Sequence, residues 1–278
     1  MSEREDGGRL IDAIAPNAAE RARRGRRLQR VLDLDLHRLR RDKRFGLALS
    51  ALGVLTAAIV VAPVMWVLIY GFAPAPGTVL MMERAAEGEV IQHQPVPIDE
   101  ISPYMIRAVI AAEDSGFCTH QGFDLEAIRT AMEANAKAKE RGRARLRGGS
   151  TISQQTAKNL FLWPARSWVR KGLETYFTFL IETLWSKRRI MEHYLNAIEF
   201  GDGVFGVEAA AQARFGRSAA DLTQLQAARL AAVLPSPNRW RADDPGPYVR
   251  RRSAQILQRA RVVRRDALSD CVEEVAPR

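Results

Sequence analysis

The sequence predicts a mainly α-helical domain that is tethered to a membrane by one N-terminal helix. Residues 45–72 form a run without a charged side chain, and from position 104 onward apolar residues recur at helical spacing. A hydrophobic fraction of 47%, with only 19 Gly and 13 Pro in 278 residues, excludes a disordered or collagen-like chain. The sequence has no repeat with a period of about 20–50 residues, which excludes a solenoid.

The uncharged run is long enough to cross a bilayer once. As a helix it would measure about 42 Å, which exceeds the roughly 30 Å hydrocarbon core. Pro63 lies within it, and such prolines are tolerated in transmembrane helices. The alternative is a buried core helix, but helices of globular proteins seldom stay apolar on every face for this length. A cleaved signal peptide would have a shorter apolar core, so we expect a retained anchor at 45–72.

The charge distribution predicts the orientation of this anchor. Residues 1–44 carry 13 Lys and Arg against 8 Asp and Glu. By the positive-inside rule this basic arm is cytoplasmic, so residues 73–278 are exported. The net charge of +10 does not indicate a nucleic-acid partner, because half of it belongs to an arm that can lie against anionic lipid.

The exported part falls into three segments. In residues 73–103 the frequent prolines predict a linker with short strands, one of them at 78–82. Residues 104–247 predict the helical domain, and residues 248–278 a charged helical tail. Within the domain, residues 137–147 are so basic that we expect a mobile loop or a solvated helix end.

Capping residues predict where helices of the domain begin. Asp124 precedes one helix, and Ser150 precedes another that ends before Pro164. Asp221 and Gln224 have the spacing of a capping box that opens a later helix. Between Pro164 and Asp221, residues 167–200 carry apolar side chains at near-helical intervals, as expected for helices with one face in the core.

The two cysteines, Cys118 and Cys271, are too few for a disulfide framework or a four-cysteine zinc site. The four histidines do not form an HExxH pair. We therefore expect neither bridges nor structural zinc to hold the fold. Whether the two cysteines pair stays open, since a single cysteine beside an aromatic residue is often a buried apolar residue.

Polar residues gather in four segments where a helical domain would otherwise have core. In the first, Glu113 and Asp114 follow the apolar run 108–112. Burial at a helix end would raise the pKa of such a carboxylate toward the range of a general base. A solvated helix end is the more common role of such a pair, and His120 alone would more often be structural.

The second segment, 147–159, is a Gly-Gly turn that leads into a hydroxyl-rich helix start. Free backbone N–H groups at such a start suit a phosphate or a sugar. The spacing is not that of a P-loop, so ATP is not indicated. An ordinary N-cap is the alternative, but the density of polar side chains over the next two turns favours a ligand. These side chains are Ser150, Thr151, Gln154, Gln155, Lys158 and Asn159.

The third segment contains Arg166, Arg170, Lys171 and Glu174. Arg170 and Glu174 are four residues apart and so share one face of a helix, where a simple surface salt bridge is the alternative. The fourth segment, 187–196, is an ordinary amphipathic helix when taken alone.

Together and in this order, the segments resemble the glycosyltransferase domain of the bacterial peptidoglycan glycosyltransferases. The resemblance covers roughly 78–240 and rests on the motifs EDSGFCTHQGFD, RGGSTISQQTAKN, RKGLE, KRRIMEHYLN and ARFGRSAADLTQLQAARLAAVLPSPNRW. With its anchor, the chain is similar to the monofunctional members of Gram-negative bacteria. Gln226 stands where the family usually has glutamate, and we expect this difference to affect local stability rather than catalysis.

The resemblance implies a lysozyme-like, two-lobed domain on the periplasmic side of the inner membrane. It would polymerise lipid II into β-1,4-linked glycan strands and release polyprenyl pyrophosphate. Glu113 would be the general base and Glu174 a second essential carboxylate. Lys158, Arg166 and Arg170 would neutralise the pyrophosphate, helped by a divalent cation (Mg²⁺ or Mn²⁺) and without an organic cofactor. The other substrate-binding residues would be Lys171, Ser150, Thr151, Gln154, Gln155, Asn159, Asp114, Phe117 and His120.

The expected partners are the bilayer, the lipid-linked glycan chain and proteins of cell division or cell-wall synthesis. A glycoside hydrolase or lytic transglycosylase would share the fold and use Glu113 as an acid, but it has no use for cations around a pyrophosphate. A non-enzymatic scaffold of the division machinery has no need of both Glu113 and Glu174. A transpeptidase is not indicated, because the chain has no Ser-x-x-Lys motif.

Overall fold

The computed structural model describes residues 23, 25, 26, 29, 43–140, 148–165 and 167–273. Helices dominate these residues, as the sequence predicts. The chain divides into two compact units, residues 1–62 and residues 63–278. The predicted basic arm at 1–44 lies almost wholly outside the described residues.

An apolar helix extends over Gly46–Phe72, with a length of 27 residues and a mean hydropathy of 2.5. This length and composition suffice for one membrane crossing, which supports the predicted anchor. Its segments are α1 (Lys43–Thr56), a π-helical turn (Ala57–Val61) and α2 (Ala62–Phe72). The π-helical turn comes just before Pro63, which lacks the N–H that a regular α-helix would use there.

The second unit carries the remaining elements. Its helices are α3 (Val79–Ala86), α4 (Pro103–Glu113), α5 (Leu125–Glu140), α6 (Ile152–Phe161), α7 (Trp168–Leu184), α8 (Lys187–Ala197), α9 (Val207–Phe215), α10 (Gln224–Val233) and α11 (Pro247–Arg265). Its strands are β1 (Gln92–His93), β2 (Glu199–Gly201) and β3 (Val204–Phe205). The strands form one small sheet in the order β1, β3, β2, in which β1 is parallel and β2 antiparallel to β3.

Two groups of packed helices build the core of this unit. In the first group α4, α10 and α11 pack on one another, and in the second α6 packs against both α7 and α8. One continuous set of buried apolar side chains connects the two groups. This arrangement confirms the mainly helical domain that the sequence predicts and is consistent with the lysozyme-like form that the resemblance implies.

Residues 78–82 are not a strand, so that prediction is wrong. Thr78 caps α3, because its side-chain oxygen accepts a hydrogen bond from Met81 N at 3.2 Å. Met81 is buried on the inner face of the short helix. A run of so few apolar residues fits either structure by pattern, and the cap decides for the helix.

The start of α10 also differs from the prediction. Thr223 and Gln226 form its capping box: Gln226 Oε1 accepts from Thr223 N at 3.0 Å, and Thr223 Oγ1 accepts from Gln226 N at 3.3 Å. Asp221 instead ends a short 3₁₀ turn and accepts a hydrogen bond from Ser218. Glutamine serves a capping box as glutamate does, so the departure at Gln226 preserves the cap.

Cys118 and Cys271 form a disulfide, with their Cα atoms 5.6 Å apart and a sequence separation of 153. This finding corrects the expectation that no bridge holds the fold. The cysteine count excludes a framework of several bridges, but it does not exclude a single one. The bridge joins the segment after α4 to the end of the described chain.

Two predicted segments extend beyond the described residues. The charged tail is helical over α11, which packs on α4 and α10, and Arg107 of α4 forms an ion pair with Glu273. Residues 274–278 lie outside the described part. Of the basic segment 137–147, residues 137–140 form the last turn of α5 and the rest lies outside.

The domain holds the end of α2 through backbone carbonyls. Trp185 Nε1 donates to Val67 O at 2.9 Å. Arg189 Nη2 and His193 Nε2 both donate to Tyr70 O, at 2.8 and 2.7 Å. The residue four positions after Tyr70 is a proline and has no N–H to offer, so side chains of the domain take the place of the missing helical hydrogen bond.

Candidate active site

Glu113 is the last residue of α4, and it lines a cavity of about 290 Å³. Gln155 Nε2, on α6, donates to Glu113 Oε2 at 3.1 Å. Burial raises the pKa of Glu113, while Gln155, Arg252 and Lys158 oppose the rise. A carboxylate whose pKa lies above its ordinary value is suited to accept a proton near neutral pH.

Asp114 joins the loop after α4 to the start of α6. Its Oδ2 accepts from Ile152 N at 2.9 Å, and its Oδ1 lies 2.9 Å from His120 Nε2. His120 Nδ1 accepts from Gly122 N at 3.2 Å, so the proton of a neutral ring lies on Nε2 and points at Asp114. Asp114 is buried, and together with His120 it holds the loop in place beside Glu113.

The same loop depends on Gly122. Its φ is +84°, and a Cβ there would lie 2.8 Å from Thr178 Cγ2 and 2.9 Å from Glu182 Cγ. Its carbonyl accepts from Thr151 Oγ1 at 2.7 Å. Only glycine combines this backbone conformation with this close approach.

Thr151, not Ser150, caps α6. Thr151 Oγ1 accepts from Gln154 N at 3.2 Å, and Gln154 Oε1 accepts from Thr151 N at 3.0 Å, which completes a capping box. Ser150 is exposed and lines the cavity beside Glu113. Gln154, expected to bind substrate, is buried and serves the cap.

Lys158 interacts electrostatically with both predicted catalytic carboxylates. Burial lowers the pKa of Lys158, and the neighbouring cations Arg170 and Lys171 lower it further. The carboxylates of Glu174 and Glu113 act in the opposite direction. Because Lys158 interacts with both carboxylates, the predicted base and the predicted cationic group belong to one site.

Arg170, Lys171 and Glu174 form an ion-pair cluster on α7. Arg170 Nη1 lies 3.1 Å from Glu174 Oε2, so the salt bridge that the spacing offered as the alternative is present, and Lys171 pairs with Glu174 Oε1. Glu174 is buried. Arg170 Nε is also buried and has no hydrogen-bond partner among the described residues. An unpaired guanidinium N–H is costly to bury, and as an available donor this atom is suited to an anionic partner.

A second cavity, of about 240 Å³, adjoins this cluster. Lys158, Asn159 and Arg170 line it together with Leu80 and residues 162–165. Polar and cationic groups thus face an apolar wall, as a lipid-linked anion would require. Arg166, predicted to belong to the same cluster, lies outside the described residues.

Phe117, expected among the substrate-binding residues, lies in the core. Its side chain is fully buried, and Lys187 Nζ lies 4.6 Å from the centre of its ring. The ring also contacts His120 edge-on. Phe117 therefore supports the loop from the inner side and does not reach the cleft.

Comparison with known proteins decides the family. A family described as Transglycosylase matches residues 80–261 of the chain. The chain belongs to this transglycosylase family. Relatives named biosynthetic peptidoglycan transglycosylase agree with the assignment. One, from Caulobacter vibrioides, is 58% identical over 214 residues, which cover 77% of this chain and 91% of the relative.

Two further relatives have the same name. The protein of Rhodospirillum centenum is 49% identical over 235 residues, covering 84% of this chain and 96% of the relative. The protein of Pseudomonas aeruginosa is 50% identical over 204 residues, covering 71% and 85%.

Sequence reasoning missed two arginines of α11 beside this transglycosylase site. Arg252 Nη2 donates to Ala112 O at 3.1 Å, and Arg259 lines the cavity that contains the predicted base. The buried residues Val249 and Ile256 are seven positions apart, as the two arginines are. A spacing of seven residues places both apolar side chains on one face of a helix. This spacing could have predicted that α11 packs against the domain.

Tyr194 is the third missed residue. Its hydroxyl lies 3.4 Å from Gln155 Oε1, on the side of Gln155 that faces away from Glu113. Its position on the apolar face of an amphipathic helix predicts a core residue. The periodicity does not reveal that its hydroxyl reaches the side chain of Gln155.

In the part of the chain that the structure describes, the transglycosylase site offers no ready set of carboxylates for a metal ion. Both oxygens of Glu174 are paired with cations of α7. Among the described residues, no group of three or more His, Cys, Asp or Glu side chains is arranged to hold a metal ion. The divalent cation implied by the family resemblance stays a prediction.

Proposed function

We propose that this protein joins lipid II units into β-1,4-linked glycan strands for the cell wall and releases polyprenyl pyrophosphate. It is then a peptidoglycan glycosyltransferase of the monofunctional kind. The observation that carries this proposal is that Lys158, which lines a cavity together with Arg170, interacts electrostatically with both Glu113 and Glu174. A base and a cationic site for a leaving anion, side by side, are the groups that an inverting glycosyl transfer needs.

Glu113 acts as the general base. It accepts the proton of the acceptor sugar hydroxyl while the oxygen of that hydroxyl bonds to the anomeric carbon of the donor. The bond from that carbon to the pyrophosphate breaks on the opposite face, and its electron pair leaves with the pyrophosphate. The raised pKa of Glu113, caused by burial, supports this role because it makes the carboxylate a stronger base.

Lys158 and Arg170 stabilise the charge that develops on the pyrophosphate. The buried Arg170 Nε, which lacks a partner among the described residues, supports an anion at this position. Arg166, on the short segment before α7, is proposed to join them. Cations held ready in a partly buried site are worth more than cations in water, since no reorganisation is needed during the reaction.

Glu174 fixes the cations rather than reacting itself. Its carboxylate is buried and paired with both Arg170 and Lys171, which orients the two cations before substrate arrives. Because both of its oxygens are engaged by these cations, neither is free to accept the proton of the acceptor hydroxyl. This role agrees with the expectation that Glu174 is essential, and it separates Glu174 from the proton transfer assigned to Glu113.

We also propose that the chain is a single-pass inner-membrane protein with a periplasmic domain. The apolar helix Gly46–Phe72, the basic segment 1–44 and the Cys118–Cys271 disulfide all support this topology. Disulfides persist in oxidising compartments, which include the bacterial periplasm and exclude the cytosol. Alkaline phosphatase fused after residue 278 should be active, and the same reporter in place of residues 1–44 should be inactive. The reverse pattern would overturn the topology.

We also propose partners among the proteins of cell division or cell-wall synthesis, which the family suggests.

The substrate proposal has a direct test. Full-length protein in detergent should convert labelled lipid II into a polymer that lysozyme digests. Failure to polymerise lipid II, combined with cleavage of finished peptidoglycan, would replace the proposal by a hydrolase.

A further inference from the structure

A chain of two hydrogen bonds leads from the protein core to the proposed base. Tyr194 of α8 lies 3.4 Å from Gln155 Oε1, and Gln155 Nε2 lies 3.1 Å from Glu113 Oε2. Gln155 was expected to bind substrate. Both ends of its amide instead face groups of the protein, so its geometry is that of a connector.

Tyr194 is fully buried, and burial raises the pKa of its phenol well above the ordinary value, so the hydroxyl keeps its proton. A buried hydroxyl is stabilised by a polar partner. Within the described part of the chain, the structure gives this hydroxyl the Gln155 carbonyl oxygen. The surrounding core of α8 fixes the position of the ring, and so fixes the position of the donor.

The direction of the chain follows from the chemistry of its members. An ionised Glu113 can only accept hydrogen bonds, so the Gln155 NH₂ group must face it. The Gln155 carbonyl oxygen then faces Tyr194, which has a proton to donate. If the amide turned over, its oxygen would face the carboxylate and the two acceptors would repel each other.

We infer that Tyr194 is a positioning residue for the general base, which it serves by holding the Gln155 amide with its NH₂ group toward Glu113. This inference rests on the proposed function for its catalytic consequence. The orientation of the Gln155 amide and the protonation of Glu113 do not depend on that function, and they can be measured without it.

Other charged groups also act on Glu113, and a test must leave them in place. Asp114 adjoins it in sequence, Lys158 acts from α6, and Arg252 acts from α11. Arg259, also on α11, lines the same cavity. Replacement of Tyr194 by phenylalanine removes one oxygen atom and leaves all four of these groups unchanged.

The experiment compares the pH dependence of lipid II polymerisation by full-length wild-type protein and Tyr194→Phe. Without its donor, Gln155 no longer favours the orientation that stabilises the ionised base. The acidic limb of kcat/KM should move to higher pH, with a loss of roughly two- to tenfold below the limb and recovery above it. Tyr104→Phe, at an exposed tyrosine of α4, is the control and should keep the wild-type profile.

A double-mutant cycle tests whether Tyr194 acts through Gln155. In a Gln155→Ala background, Tyr194→Phe should cost little further activity, because the connector is already gone. Losses that multiply, or a wild-type pH profile for Tyr194→Phe, would overturn the inference. An equal loss at every pH would also overturn it, since that is the result of a merely structural role.

A measurement without turnover separates this inference from the proposed function. Carboxyl groups of glutamate can be labelled with ¹³C, and the Glu113 resonance identified by its disappearance in Glu113→Gln. Its titration midpoint should be higher in Tyr194→Phe than in wild type, and an unchanged midpoint would refute the hydrogen-bond chain. If wild type makes no polymer, the proposed function fails, and this titration still decides the role of Tyr194.

Discussion

Cys118, five residues after Glu113, is joined by a disulfide to Cys271 near the end of the described chain. The bridge closes a loop that contains most of the domain. Around it, Val272 is fully buried and its carbonyl accepts from Arg188 Nη1 at 2.7 Å. Residues 271 and 272 therefore fasten the loop that lies beside the proposed base.

Removal of this bridge should destabilise the domain. A Cys118→Ser/Cys271→Ser double variant should lose roughly 2–5 kcal/mol of unfolding free energy, since the unfolded chain is no longer constrained. Thermal unfolding in detergent, with and without a reductant, measures the effect. The reductant should lower the midpoint of wild type and leave the double variant unchanged. Equal midpoints for oxidised and reduced wild type would contradict a structural bridge.

Gly122→Ala should lower the unfolding free energy of the domain by roughly 1–3 kcal/mol, which a lower thermal unfolding midpoint would show. The new methyl group would meet Thr178 and Glu182 at less than van der Waals distance, in a backbone conformation that alanine disfavours. Gly172→Ala on α7 is the matched control, because a Cβ there meets nothing within 4 Å. That control should unfold at the wild-type midpoint or slightly above it. Equal effects of the two substitutions would show that the conformation of Gly122 is unimportant.

His193 should make the domain less stable in acid. Burial lowers its pKa to about 4, while the unfolded chain binds the same proton near the ordinary value of 6.5. The stability due to the neutral ring is therefore present above pH 6.5 and is lost as the pH falls from 6.5 toward 4, by roughly 3 kcal/mol at most. His193→Gln can still donate to Tyr70 O but cannot titrate. Its unfolding midpoint should fall less between pH 7 and pH 4 than that of wild type, and an identical fall would contradict this account.

Lys158→Ala should weaken both turnover and the binding of a donor-like anion. It removes a cation that interacts with both carboxylates of the site. Polymerisation and the affinity for a phosphoglycolipid such as moenomycin should each fall by roughly 10- to 100-fold, as expected when a charge-assisted hydrogen bond is lost. Lys139→Ala, at an exposed lysine of α5, is the control and should change neither. Unaltered inhibitor binding in Lys158→Ala would remove this lysine from the pyrophosphate site.

Local patterns predicted much of this protein. The uncharged run at 45–72 follows from composition alone, and the pairing of Arg170 with Glu174 follows from their spacing on one helix turn. The position of Glu113 at the end of a buried helix also follows from the apolar run before it. Each of these features depends only on residues that are close in sequence.

Contacts between distant residues could not be predicted in this way. The hydrogen bond from Tyr194 to Gln155 joins residues 39 positions apart, and that from Ile152 N to Asp114 joins residues 38 positions apart. The choice of Thr151 as the cap of α6 also depends on a distant group, since its hydroxyl donates to the carbonyl of Gly122. In these cases tertiary packing selects among local alternatives that the sequence leaves nearly equal.

If Glu113 accepts the proton of the acceptor hydroxyl, Glu113→Gln should stop most of the catalysis while the anion site stays intact. Glutamine keeps the shape of the side chain and removes its basicity, so lipid II polymerisation should fall by about 10²–10⁴-fold. Binding of moenomycin should stay within a few-fold of wild type, because the cationic cluster is intact. A variant that polymerises lipid II at the wild-type rate while it binds moenomycin normally would contradict the assignment of Glu113 as the base.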